Sequence, residues 1–158
     1  IVLSHQPDDG GKFVKQVRDR GINTQITDSG YTVTGGDYWV LSAGTGIGSI
    51  GGANYTSSDP RPIVQNWLKL WRARTGSPDK DPDAYETATY DATKMLAMVL
   101  NNAKSMSRED IAAAFMTIQN VEFITGTVGY KKEELPDAYR PKAVLIKLGE
   151  NGKFIAWP

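Results

Sequence analysis

The chain has no cysteine and a single histidine, His5. The first absence excludes disulfides and thiolate metal sites and fits any redox compartment. One imidazole cannot furnish the usual zinc ligand sets. Neither sign of charge prevails, since 18 Lys and Arg stand against 18 Asp and Glu. No overall field therefore draws the chain to nucleic acid or to a membrane surface. No run approaches the ~18 apolar residues that a membrane helix needs, and no signal-peptide pattern is visible. The G-x-S-x-G elbow of serine hydrolases is missing as well.

What the chain does contain is globular in character. Over 158 residues, 40% are apolar and fifteen are aromatic (4 Trp, 7 Tyr, 4 Phe), enough for one domain with a real core. It opens on Ile1-Val2-Leu3, an apolar, β-prone start without run-up, which reads as a fragment or processed chain whose beginning lies elsewhere.

Residues 1–3 read as the end of a strand and 4–9 as a polar turn, with Asp8 or Asp9 able to cap the helix that follows. Residues 12–20 carry Phe13, Val14 and Val17 at helical spacing, and Gly21 sits where a helix-ending glycine belongs. The β-branched alternation of "INTQIT" (22–27) predicts a strand with one buried face. A short helical turn near 37–43 and a strand near 49–55 follow. "DPRP" (59–62) then starts a helix with Ile63, Val64, Trp67, Leu68, Leu70 and Trp71 as its apolar stripe, ending at Gly76. Trp67 and Trp71, four apart, are core residues on this reading.

"SPDKDPD" (77–83) has linker character. Beyond it Tyr85, Ala88, Ala92, Met95, Leu96 and Val99 mark a second amphipathic helix. Ser107 and Asp110 form a capping-box pattern ahead of Ile111, Ala114, Phe115 and Ile118. Residues 126–130 and 142–148 read as strands, and 149–157 as a hairpin turning at Asn151-Gly152. "KKEE" (131–134) reads as a solvated cluster. Strands alternating with helices argue for an α/β sheet with helices on both faces.

Three features invite chemistry. Gly46, Gly48 and Gly51 satisfy G-x-G-x-x-G, the dinucleotide fingerprint, but the fingerprint needs a helix N-terminus directly behind it. Here "ANYTSSDPRP" intervenes, so a connection with tight turns is the simpler reading. A Rossmann-type nucleotide-dependent enzyme stays as an alternative. Ser4-His5 suggests a hydrolase pair, yet neighbours at a strand end point apart and a triad needs an orienting group and an oxyanion hole. "TDSGY" (27–31) follows a strand at the end where α/β proteins meet ligands. Asp28, Ser29 and the Gly30 backbone could receive an ammonium or hydroxyl group there, or could be ordinary turn residues.

Taken together, 13–30, 81–115 and 123–154 resemble the type I periplasmic solute-binding proteins, closest to the branched-chain amino-acid binding group of ABC importers. The motifs carrying this are "Q-x-R-x-x-G" (16–21), "YDA" (90–92), "G-x-x-G" (126–129) and the ending "K-x-G-x-x-G-x-F" (147–154). The resemblance implies a three-layer Rossmann-like α/β sandwich, the C-terminal portion of a two-lobed protein. Residues 1–76 would belong to the C-terminal lobe, 77–83 to a hinge crossing, 84–140 to the N-terminal lobe, and 141–158 to strands returning to the C-terminal lobe. It implies an extracytoplasmic, non-enzymatic protein whose signal peptide has been removed and which works without cofactor. Its partners would be a small amino-acid-like or aromatic ligand, a membrane permease, and either the missing N-terminal half or an intertwined second copy. A sensor with the same fold is the alternative. By the same resemblance His5 and Gln6 follow the first strand toward the ligand, Asp28, Ser29, Gly30 and Tyr31 form the loop that holds an amino group in such proteins, and Tyr85 faces the cleft. The carboxylate position of that loop falls on or beside Gly30, which departs from an α-amino-acid binder.

Overall fold

A computed structural model describes residues 1–130 and 143–158. In chain order its elements are β1 (Val2–Leu3), α1 (Pro7–Asp19), β2 (Thr27–Asp28), α2 (Tyr38–Leu41), β3 (Ile50–Ala53) and α3 (Pro62–Thr75). Then come α4 (Ala84–Asn102), α5 (Arg108–Phe115), β4 (Val121–Phe123), β5 (Gly126–Val128), β6 (Val144–Leu148) and β7 (Phe154–Ala156). Instead of the one domain that length suggests, packing divides the chain into two compact units. One comprises Ile1–Glu86 with Ala143–Pro158, the other Thr87–Lys142. The "KKEE" cluster (131–134) lies outside the described residues.

The first unit is built on a five-stranded sheet in the order β1-β2-β3-β6-β7. Its first three strands run parallel, and β6 and β7 join antiparallel. Cross-strand partners share a face, so the pairings Leu3↔Asp28, Gly51↔Ile146 and Leu148↔Phe154 sort the side chains. Leu3, Ala53, Ile146, Leu148 and Phe154 are buried together with Val14, Ile26, Val64, Leu68 and both stripe tryptophans, Trp67 and Trp71. The other face carries Val2, Leu145 and Ile155, which are 71%, 56% and 52% exposed. Val2 is thus not the interior strand residue that its apolar neighbours suggest.

Local chemistry explains where the elements begin and end. Helix α1 starts at Pro7, with Gln6 at its N-cap, because proline's fixed φ and missing N–H suit a first helical position. Asp8 and Asp9 therefore lie in the first turn, where they favour the helix dipole, and do not cap it. At the other end the amides of Gly21 and Ile22 donate to the carbonyls of Arg18 and Val17, a Schellman ending made possible by φ +74° at Gly21. The strand expected over 22–27 shrinks to Thr27–Asp28. Strand β1 offers only Val2 and Leu3 as partners, and of the two isoleucines in "INTQIT" only Ile26 is buried. In α3, Leu70 is exposed and Ile63 half-buried, so the apolar stripe is narrower than its sequence. The hairpin β6–β7 turns through Asn151 and Gly152, both at positive φ, as an Asn-Gly turn requires.

Residues 77–83 are no loose linker. Asp81 is buried; its carboxylate accepts from Arg72 Nη2 at 2.7 Å and from the Phe154 amide at 3.3 Å. The Tyr55 hydroxyl donates to the Pro82 carbonyl. Asp83 and Glu86 exchange hydrogen bonds with each other's backbone amides at 2.6 and 2.8 Å, a capping box that starts α4. The linker signature thus serves a helix start and a latch on the β6–β7 hairpin.

In the second unit the core is Met95, Val99, Ala114, Ile118, Phe123 and Val128. The buried face of α4 there runs through Thr87, Asp91, Met95 and Val99; Met95 and Val99 belong to the expected stripe, whereas Thr87 and Asp91 are buried in place of the exposed Ala88 and Ala92, and Leu96 is exposed. Asp91 explains the offset. Its buried carboxylate accepts from the amides of Ile124 and Thr125 at 3.3 and 2.8 Å and so holds the turn between β4 and β5. Ser107 caps α5, accepting from the Asp110 amide at 3.1 Å. The Tyr130 hydroxyl donates to Met95 Sδ, and burial raises that phenol's pKa.

Candidate functional site

The parallel strands deliver their following loops to one edge of the sheet, the edge where α/β proteins meet ligands. After β1 come His5 and Gln6, and after β2 come Ser29, Gly30 and Tyr31, all of them exposed. The two loops are tied together. The Ser29 amide and hydroxyl both donate to the Leu3 carbonyl, at 3.0 and 3.2 Å. Buried Thr32 donates from Oγ1 to the His5 carbonyl at 2.7 Å and accepts from the His5 amide at 3.4 Å. The His5 ring leans toward Phe13 of α1, with centroids 6.5 Å apart. Gln6 supplies its carbonyl to the Gly10 amide, and its side chain takes no part in the cap.

Tyr85, in the first turn of α4, joins this cluster through Tyr31. Their ring centroids lie 5.9 Å apart at 57°, and the residues are 38% and 49% exposed. The first turn of α4 is fixed from several sides. Its Ala84 amide donates to the Thr34 carbonyl at 3.0 Å, Asn54 Nδ2 donates to the Ala84 carbonyl at 2.9 Å, and Asp83 accepts from the Gly36 amide at 2.9 Å. Gly35 leaves the space that Tyr85 occupies, because a Cβ there would stand 2.4 Å from Tyr85 Cε2.

Asp28 behaves differently from its neighbours. It shares the buried face with Leu3, and its carboxylate oxygens accept from the amides of Gly30 at 2.9 Å and Val33 at 2.6 Å. It lies over β3, where a Cβ on Gly51 would meet Oδ2 at 2.7 Å. Desolvation outweighs these amide hydrogen bonds and pushes its pKa above 3.8. The structure therefore brings His5, Ser29, Gly30, Tyr31 and Tyr85 to one surface, leaves Gln6 exposed at the start of α1, and holds the half-buried Asp28 carboxylate on the loop's own amides.

Thr32, Thr34, Gly35 and Asn54 escaped the sequence reading. Asn54 follows β3 directly, so the strand-end argument that selected "TDSGY" would have found it. Its Oδ1 is the one buried side-chain polar atom without a hydrogen-bond partner among the described residues. Among the same residues no three His, Asp or Glu side chains gather as metal ligands.

The glycine fingerprint has other duties. Gly48 adopts φ +81°, Gly51 lies inside β3 beneath Asp28, and the next helix begins only at Pro62. No helix N-terminus stands behind the loop, so the geometry of a dinucleotide site is missing here.

A family model described as periplasmic binding protein matches residues 1–136, and the chain belongs to that family. No curated protein matches it. Among solved structures, the leucine-binding protein LivK of Thermotoga maritima superposes with TM-score 0.80 at 18% identity, covering 99% of this chain and 43% of that one. LivJ of Streptococcus pneumoniae, the substrate-binding protein of a branched-chain amino acid transporter, in complex with isoleucine, gives 0.78 at 20% identity, covering 99% and 42%. A solute-binding protein of an ABC transporter from R. palustris, in complex with benzoate, gives 0.77 at 18%, covering 98% and 41%. The expected type I periplasmic-binding-protein fold is thereby confirmed, and the chain spans less than half the length of these relatives.

Proposed function

We propose that this periplasmic binding protein chain is part of an extracytoplasmic solute-binding component of an ABC importer. It binds a small amino-acid-like or aromatic metabolite by hinge closure and hands it to a membrane permease. In this reading it performs no chemistry. Residues 1–76 and 141–158 belong to one lobe, 84–140 to the other, and 77–83 make the crossing. Polypeptide beyond these 158 residues, or a second copy, supplies the rest of the ligand's surroundings, in keeping with the 41–43% of the relatives' length that the chain covers.

The observation that carries the reading is the exposed Tyr31–Tyr85 pair, fixed at the ligand-facing edge of the sheet in a member of this family. Tyrosines offer large, rigid, amphipathic contact area. His5 and Ser29 lie on the adjoining strand-end loops, as binding sites combine an apolar lining with a few placed polar contacts. A thermal-shift screen with amino acids, aromatic acids, aromatic amides and nucleotides tests it. Ligands from the first three groups are expected to raise the melting temperature; a response confined to nucleotides would return the Rossmann-enzyme reading.

A further inference from the structure

We infer that the uncovered face of the five-stranded sheet docks an amphipathic helix of the same protein, carried by polypeptide outside these 158 residues. That helix sets an acidic residue against Lys147. The inference decides between the two suppliers that the reading above allows. It rests on the sheet and on the coverage of the relatives, not on the ligand, so a failed ligand screen leaves it standing.

One row of this face crosses all five strands. It runs through Val2, Thr27, Ile50, Lys147 and Ile155, each paired with the next. Leu145 stands beside it, opposite Gly52, and the Trp157 ring centroid lies 5.3 Å from Lys147 Nζ. Val2, Leu145, Ile155 and Trp157 are all exposed, an apolar patch of the kind that marks an interaction site. Helix α1 packs on the opposite face, where a Cβ on Gly10 would stand 3.8 Å from Leu3 Cδ1. Parallel strands occur almost only in sheets covered on both faces. The edge at β1 is open as well. The carbonyls of Ile1 and Leu3 accept from the amides of Thr27 and Ser29, so the peptide groups of Val2 face outward. Free edges usually carry charge or proline against stray pairing. The far edge strand, β7, is flanked by Lys153 and Pro158, whereas Ile1-Val2-Leu3 has neither.

Charge selects the occupant. The row and its neighbours Leu145, Gly52 and Trp157 contain Lys147 and no acidic side chain. A second copy docked through this face would meet the patch with the same patch. It would bury the Lys147 ammonium without a counter-charge, which is costly. A different segment can bring the acid together with an apolar stripe. The relatives have the length for one, since this chain covers only 41–43% of theirs.

Thiol labelling tests this directly, because the chain has no cysteine of its own. Leu145→Cys, Ile155→Cys and the exposed control Asp79→Cys are treated with iodoacetamide, both in the 158-residue chain and in the full-length protein. Labelling of each peptide is followed by mass spectrometry. In the chain alone the three introduced thiols should react at rates within about threefold of one another, since exposure governs access. In the full-length protein the thiols at positions 145 and 155 should react at least tenfold more slowly than the control. Lys147→Glu should lower the melting temperature of the full-length protein by about 5 °C and leave that of the chain within about 2 °C. Labelling at 145 and 155 as fast as at 79 in the full-length protein overturns the inference. So does protection in the chain alone with a doubled sedimenting mass, which would make a second copy the occupant. A gene product no longer than these residues overturns it too.

Discussion

Asp81→Ala decides whether residues 77–83 are a linker or a latch. The Asp81 side chain is fully buried and pairs with Arg72, whose side chain is 32% exposed. Removing the carboxylate loses one charge-assisted hydrogen bond, worth about 1.5–3 kcal/mol, and strands the Phe154 amide, at about 1–3 kcal/mol. The guanidinium left behind can turn to water, so the full 3–5 kcal/mol of a broken buried pair overstates the loss. About 2–4 kcal/mol is expected, or a fall in melting temperature of roughly 5–15 °C for a chain of this size. Arg72→Ala should cost at least as much, because it leaves a buried carboxylate unpaired. Trp39, Trp67, Trp71 and Trp157 account for all 4 tryptophans and all belong to the first unit, so tryptophan fluorescence during urea or thermal unfolding reports that unit selectively. Exposed Asp79 is the control, and Asp79→Ala should stay within about 0.5 kcal/mol. If Asp81→Ala matches Asp79→Ala, the latch is wrong and 77–83 is the linker its composition suggests.

Three further outcomes follow from named contacts. Burial raises the pKa of Asp28 in the folded protein, so its contribution to stability is full below the unfolded value and is lost as pH rises through the folded one. The stability of wild type relative to Asp28→Asn should therefore grow as pH falls from 7 to 4 in urea melts, and a flat difference would refute the burial argument. Gly35→Ala drives a methyl into the Tyr85 ring and to 2.9 Å from the Tyr31 carbonyl; it should cost about 1–3 kcal/mol in the same melts and weaken any ligand that needs the tyrosine pair. Ser107→Ala removes the cap of α5 at about 1 kcal/mol, read as faster hydrogen exchange at the Asp110 amide with the tryptophan signal unchanged.

Much of the architecture was legible in residue pattern. The Asn-Gly hairpin, the Ser107 cap, the Gly21 helix ending and the tryptophan stripe each rest on local chemistry that tertiary packing did not override. The misreadings share a cause, which is a polar side chain doing interior work. Asp91 occupies the buried face of α4 because it holds a turn some thirty residues later in the chain, and Asp81 makes a Pro/Asp stretch into a latch. Asp28 sits in a loop of ordinary turn residues, and only the folded chain shows it half-buried, with its carboxylate holding the amides of Gly30 and Val33. Strand-end logic located the candidate surface, yet spacing alone could not join Tyr85 to Tyr31. That pairing depends on Gly35 and on the bonds that fix the start of α4.

The central claim is that the Tyr31–Tyr85 surface binds a small solute. Titrating wild type and the Tyr31→Ala/Tyr85→Ala double variant with the strongest compound of the thermal-shift screen, under identical conditions, tests it most directly. The account predicts saturable binding by wild type and at least a tenfold loss in the double variant, with its unfolding still cooperative. Equal affinity in the two proteins would contradict it.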